Sequence, residues 1–477
     1  MQELKGLGRA MRNKKVFSAV VFCISFAGIA GADLAGKVDS IINRPELKKV
    51  QFSVQIIKAD SGQVVYSRNA GNAILPASNM KIITTAAALK YLGANYEYKT
   101  RVGLCGDTLV VIGSGDPLLG DKATDEKHGR QAGWLFDDIA AKLRQNGVTR
   151  LKDIVIDTAV FSDEPTHPNW PKEQLNQWYA CEVSGLNYND NCIVITVENT
   201  GGKINIAVEP KSDYLTIINK VTPAANGKNS AVGAYRNQEP NKIVIKGTCH
   251  KQEGPFDVAI QRPAVFFGFF LAENLAKAGI KADGTLFEKA VDANCNYKSI
   301  AEYNTPISDC LARSNKNSLG LAAESLLKTI SANANPGKIG GNWAGGRELV
   351  SKYLLELGID KQEFNIDDGS GFSRENRLSA NVITKVLLDV YRGRDWELYK
   401  SSLAVAGEDG TIGKYFKEQK YRGKILGKTG YIAGVKSFSG VANAVKGDYL
   451  FSILTNKAND KTRDAINDIA KAIIDSE

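Results

Sequence analysis

Hydrophobic and polar positions alternate through Val50, Phe52, Val54 and Ile56, and after Asp60-Ser61-Gly62 the apolar run Val64-Val65-Tyr66 follows. Period-two alternation broken by a turn predicts a β-hairpin with one buried face. The pattern then changes. Ile82, Ile83, Ala86, Ala87, Leu89 and Tyr91 recur at helical spacing between Pro76 and Gly93, which predicts a helix with a proline near its start and a glycine at its end. From about Tyr96 to Ile300, short runs such as Leu109–Ile112, Ile154–Ile156 and Ile193–Val197 are separated by Gly, Asn and Asp, the texture of a mainly β region. Beyond it, Leu319–Ile330 and Glu348–Leu357 read as helices, Ile425–Leu454 as strands joined by tight turns, and Ile466, Ile469, Ala470 and Ile473 as a closing helix. The two ends, residues 33–95 and 300–477, read as one α/β domain interrupted by a large, mainly β insertion at 96–299.

The amino terminus departs from this pattern. Lys5, Arg9, Arg12, Lys14 and Lys15 precede the apolar run Val16–Ile29, and Ala30-Gly31-Ala32 follows before Asp33. This order is that of an export signal spanning residues 1–32, cleaved near Ala32. The apolar run is shorter than the roughly 20 residues that span a bilayer, so peripheral membrane contact is the most expected of the mature chain. The segment also accounts for much of the net charge of +9, which comes from 61 basic and 52 acidic residues. What remains is a weak excess with no basic stripe, which excludes a nucleic-acid partner.

Of seven cysteines, six lie beyond the signal: Cys105, Cys181, Cys192, Cys249, Cys295 and Cys310. In an exported chain they permit up to three disulfides; the pairing stays open, although Cys181 and Cys192 are close enough to close a short loop. No metal site is expected. C-x-x-C is absent, and the three histidines, His128, His167 and His250, lie far apart outside any H-E-x-x-H arrangement.

Candidate chemistry begins with Ser78 and Lys81. Three residues apart on the predicted helix, they share a face, where an amine can reach a hydroxyl. A free lysine is protonated at neutral pH, so a base at this position needs burial beside another cation. Lys428, in Lys428-Thr429-Gly430 on a predicted strand, supplies that cation. Reading Gly427-Lys428-Thr429 as a phosphate loop fails, because Arg422 stands where that motif needs its first glycine and no helix pattern follows.

Together, Ser78-x-x-Lys81 and Lys428-Thr429-Gly430 resemble the active-site-serine penicillin-binding proteins and β-lactamases. Flanking motifs narrow the resemblance to the D-alanyl-D-alanine carboxypeptidase/endopeptidase family of low-molecular-mass class C. These are Gly113-Ser114-Gly115-Asp116-Pro117, His167-Pro168-Asn169-Trp170-Pro171, Asn189-Asp190-Asn191, Asp368-Gly369-Ser370-Gly371, Ala406-Gly407 and Asp409-Gly410-Thr411. As turn-forming strings they are given structural roles. Ala323-Glu324 and Leu326-Leu327-Lys328 align the second motif on Ser318-Leu319-Gly320, where Gly320 replaces the family's usual asparagine.

The resemblance implies a β-lactamase-like transpeptidase fold and acyl transfer from peptidoglycan stem peptides ending in D-Ala-D-Ala, or from D-Ala-containing cross-links, in the periplasm. Ser78 is the implied nucleophile, Lys81 the general base and Ser318 a proton relay. Lys428 and Thr429 would hold the substrate carboxylate, with Gly430 beside them. The N–H groups of Ser78 and Tyr431 would form the oxyanion hole, and the Tyr431 ring would narrow the groove. β-Lactams are implied as covalent inhibitors, and no cofactor is needed. In the family the missing asparagine helps hold the catalytic lysine and the substrate amide, so Gly320→Asn is expected to raise activity. The alternative is a non-catalytic or weakly active wall-binding homologue; a β-lactamase is disfavoured by the length of the insertion.

Overall fold

A computed structural model describes residues 29–162, 164–225, 229–237, 239–334 and 340–476. The expected export signal lies almost wholly outside them, and its last residues open a helix, Ile29–Ile42. At the centre is a six-stranded antiparallel sheet. Its order is Ala404–Val405, Ile425–Ile432, Val435–Ala444, Gly447–Asn456, Gln51–Lys58 and Val64–Arg68. The first 70 residues therefore join a sheet whose other strands come from the last 75, which is why both ends of the sequence read alike.

The strand Gln51–Lys58 is buried on both faces rather than one. Its polar positions meet a second layer through hydrogen bonds. Ser53 Oγ accepts from the Ala380 N–H at 3.1 Å, and Gln55 Oε1 accepts from the Thr384 hydroxyl, both on the helix Ala380–Arg392. On the opposite face the helices Ile29–Ile42 and Thr462–Ile474 pack together over Phe438, Phe451 and Ile453. The helix Met80–Leu92 runs through the middle of the helical layer, buried for most of its length against Gly320–Ala334 and Ile307–Lys316.

Between Leu92 and Ile307 the chain builds a five-stranded sheet ordered Leu286–Glu288, Ile154–Asp157, Thr108–Ile112, Glu97–Cys105 and Tyr297–Pro306, plus two three-stranded sheets. Two long helices, Trp134–Gln145 and Pro263–Lys277, pack on it around Phe136, Phe266, Phe267 and Phe270. They are absent from the sequence-based reading, where the apolar run at Ala264–Ala272 has no period to set a helix apart from a buried strand. Among the described residues, no helix is long and apolar enough to cross a membrane.

One disulfide forms, Cys105–Cys295, at the ends of two paired strands where Tyr297 stands opposite Cys105. The expected maximum of three is not reached. Cys181 and Cys192 do not join, and with Cys249 and Cys310 they are buried free thiols. Thiol titration of the denatured, unreduced mature protein should therefore find four reactive cysteines; six would show that Cys105 and Cys295 stay reduced.

Candidate active site

Ser78 is placed by its neighbours in sequence. Pro76 and Ala77 lead into a 3-10 turn, Ala77–Asn79, that feeds the helix Met80–Leu92, and Ala77 has a left-handed φ of 46°. Non-glycine residues occupy that region at a cost, and functional sites collect them. One turn on, Lys81 Nζ lies 3.3 Å from Ser78 Oγ and donates to the Ser370 carbonyl at 2.8 Å.

Tertiary contacts tie this turn to the strand Ile425–Ile432. Asn79 Nδ2 donates to the Lys428 carbonyl at 2.8 Å, and Ser437 Oγ donates to the Pro76 carbonyl at 2.8 Å. Gly430 permits the approach, since a Cβ there would stand 2.9 Å from Pro76 O and 3.0 Å from Ser78 N. On that strand Lys428 is fully buried, with Nζ donating to Ser318 Oγ at 2.9 Å and to the Thr429 carbonyl at 2.6 Å. Ser318 occupies the hinge between the helices Ile307–Lys316 and Gly320–Ala334, held at a φ of 64°. Because its oxygen accepts from Lys428, its own proton is free to point elsewhere.

The structure thus gathers Ser78, Lys81, Ser318, Thr429 and Tyr431 on one cavity of 610 Å³, with Lys428 immediately behind Ser318 and Thr429. The Tyr431 ring is 70% exposed at the mouth. Trp178 and Tyr179 of the inserted region close the opposite wall beside Phe372. No histidine lines this cavity.

Burial strips water from the Lys81 ammonium and lowers its pKa to about 8, against the opposing pull of Glu324 and Asp368. The repulsion expected from a second cation appears instead at Lys428, held well below the usual lysine range by burial and then by the charges of Lys81 and Arg463. Glu324 is the group the sequence reading missed. Its carboxylate accepts from the N–H groups of Gly369 and Ser370 at 2.9 and 2.7 Å and from Trp343 Nε1 at 2.8 Å. It thereby sets the loop whose Ser370 carbonyl holds Lys81. Burial, and next the charge of Asp368, push its pKa up to about 7.

Of the turn-forming motifs, His167–Pro171 serves this same loop. Trp170 Nε1 donates to Asp368 at 2.9 Å, Asn169 Nδ2 donates to Asp367 at 3.0 Å, and His167 Nε2 meets the Asp367 carbonyl at 3.0 Å. Another motif goes further than a structural role, because Thr411 lines the cavity with its hydroxyl 2.9 Å from that of Thr429.

Gly320 also lines the cavity, but a Cβ there would stand 3.1 Å from the Tyr179 carbonyl oxygen. The main chain of the inserted region occupies the space next to it. Of the neighbouring asparagines, Asn315 is committed to Thr85 and Ser402 by hydrogen bonds, whereas Asn317 lines the cavity. The expectation for Gly320→Asn is accordingly revised. Overpacking of this kind costs about 1 to 3 kcal/mol, so the variant should melt lower and acylate no faster; faster acylation at unchanged melting temperature would restore the simpler view.

An α/β fold built around such a serine and lysine is that of the active-site-serine penicillin-binding hydrolases. The chain belongs to the D-Ala-D-Ala carboxypeptidase 3 (S13) family, whose pattern matches residues 34–474. It is 26% identical over 456 residues to a D-alanyl-D-alanine carboxypeptidase of an Actinomadura species, covering 90% of this chain and 82% of that protein. The fold is similar to that of penicillin-binding protein 4 from Haemophilus influenzae, with a TM-score of 0.78, 22% identity and coverage of 93% and 98% of the two chains. The same protein complexed with a β-lactam matches with a TM-score of 0.72, 21% identity and coverage of 94% and 99%.

Proposed function

We propose that the chain is an exported serine-type D-Ala-D-Ala carboxypeptidase and DD-endopeptidase that trims or cleaves peptidoglycan stem peptides through an acyl-enzyme. The observation that carries this reading is the 3.3 Å approach of a dehydrated Lys81 amine to Ser78 Oγ, opposite the Lys428–Ser318 pair. A neutral Lys81 takes the Ser78 proton as Oγ attacks the carbonyl of the penultimate D-Ala, forming the ester. The N–H groups of Ser78 and Tyr431 hold the oxyanion, in line with the close approach of the Gly430 backbone to Ser78.

Lys428 and Thr429, with Thr411 beside them, receive the carboxylate adjoining the scissile bond. When the amide C–N bond breaks, Ser318, held by the Lys428 ammonium, passes its proton to the leaving amine and takes up the one Lys81 had received from Ser78, which leaves Lys81 neutral. Water then hydrolyses the ester, with Lys81 again the base. A β-lactam enters the same sequence, and its ester turns over slowly, so it inhibits covalently. The test is digestion of purified monomeric and cross-linked muropeptides. Release of D-Ala or cleavage of the cross-link is expected; with neither product and no penicillin adduct, the protein would be a binding homologue.

A further inference from the structure

The catalytic cavity does not end at Thr429. A second cavity, of 570 Å³, shares Thr411, Thr429 and Tyr431 with it and adds three cations, Lys414, Lys436 and Arg463. No carboxylate lines it. Arg463, near the start of the helix Thr462–Ile474, is held by donating to the carbonyls of Gly430 at 3.1 Å and Ser437 at 3.3 Å. Lys436 stands opposite Tyr431 on the adjoining strand and donates to the Asn459 carbonyl. Lys414 is exposed over the Tyr415 ring.

None of the three forms an ion pair among the described residues, although Asp460 and Asp464 lie near enough to Lys436 to act on it. Arg463 opposes the charge of both Lys436 and Lys428. Cations gathered beside a catalytic groove, with no ion pair among the described residues and no carboxylate in the lining, are an arrangement that a bound anion would relieve.

The position of the cavity says which part of a substrate it would meet. It adjoins the two threonine hydroxyls assigned to the carboxylate next to the scissile bond, and neither Trp178 nor Tyr179 lines it. A departing D-alanine has nothing beyond its carboxylate and methyl group. In a D-Ala-containing cross-link the leaving amine instead belongs to a second stem peptide, which carries further carboxylates and must run out of the site in this direction. We propose that the cavity bounded by Lys414, Lys436 and Arg463 is the subsite for this anionic leaving peptide, and that it serves cross-link cleavage rather than release of D-alanine. The inference rests on the function proposed above.

The test compares wild type with Lys414→Glu and with Lys414→Ala/Lys436→Ala on three reactions: cleavage of a purified cross-linked muropeptide dimer, D-Ala release from a monomeric pentapeptide, and acylation by benzylpenicillin. Lys414 is exposed, so its single variant guards against misfolding. Exposed ion pairs are individually modest, and kcat/KM for the dimer should fall about three- to twentyfold, mostly through KM. D-Ala release and acylation should stay within about twofold, and added salt should raise the dimer KM more than the pentapeptide KM. Equal losses on both peptides, no loss on either, or a wild type that releases D-Ala but leaves the dimer intact would each overturn the subsite alone. A wild type that processes neither peptide and forms no penicillin adduct would overturn the underlying function and the subsite with it.

Discussion

Ser78→Ala is expected to abolish the covalent benzylpenicillin adduct seen by intact-protein mass spectrometry while leaving the fold in place. The chemical part of this prediction rests on uniqueness. Ser78 Oγ lies within 3.3 Å of a buried amine whose pKa has come down to about 8. The other cavity serine that meets a lysine, Ser318, accepts a hydrogen bond from Lys428, an amine that as donor is not placed to take its proton. The structural part rests on how little Oγ contributes to packing. Ser78 is half-buried, and the removed hydroxyl makes one long hydrogen bond, worth about 0.5 to 1.5 kcal/mol at most. The backbone bonds that tie this turn to the strand Ile425–Ile432 pass through Asn79 and Pro76, and they survive. Melting within a few degrees of wild type together with complete loss of the adduct is the expected pair of results. An adduct at full yield in Ser78→Ala would falsify the assignment of the nucleophile.

What was legible in the sequence follows from how far apart the interacting residues lie along it. Ser78 and Lys81 share a helical face because of a three-residue spacing, so their meeting is a local matter that periodicity can read. The carboxyl-terminal strands were legible for a similar reason, since Ile425–Leu454 folds into neighbours through tight turns. Glu324 was visible only as an alignment landmark. Its role depends on the N–H groups of Gly369 and Ser370, some 45 residues on, and no local pattern announces that a helix carboxylate will cap a distant loop. Thr411 was passed over as turn chemistry because it lies in a 3-10 turn, Gly410–Ile412, and its partner Thr429 on a strand 18 residues further on.

Gly320 shows the limit of motif reasoning most plainly. The string revealed an asparagine replaced, whereas what any side chain there would press on is the Tyr179 carbonyl of the inserted region, 141 residues earlier. The cysteines behave alike: the bond between Cys105 and Cys295 is fixed by the register of two strands separated by 190 residues. Their count alone left every pairing open.

The acylation rate should rise with pH and level off above about pH 8, and Lys81→Ala should remove about 10²- to 10⁴-fold of it, the usual contribution of a positioned base. The sign follows from which form of Lys81 can work. Only the neutral amine accepts the Ser78 proton, and its population grows about tenfold per pH unit until the pKa is reached. An ordinary lysine would carry this rise beyond pH 10, so the midpoint reports the burial of Lys81. The charged groups that bear on it are Glu324, Asp368 and Lys428. Glu324 and Asp368 favour the ammonium and hold the midpoint up. Replacing Glu324 by Gln keeps the shape of the side chain and removes one of these charges, so the profile should move to lower pH; loss of a carboxylate cannot move it up by this route.

The two variants also separate chemistry from folding. Lys81→Ala leaves both buried carboxylates without their cation and is expected to melt lower, so its slow acylation must be read beside a thermal melt. The wild-type profile needs no such correction, whereas Glu324→Gln is read beside a melt as well, because its amide nitrogen cannot accept from the N–H groups of Gly369, Ser370 and Trp343 that the carboxylate holds. A rate that is flat from pH 6 to 10, or a Glu324→Gln profile displaced upward, would remove Lys81 as the base and leave the Lys428–Ser318 pair as the next route for the proton.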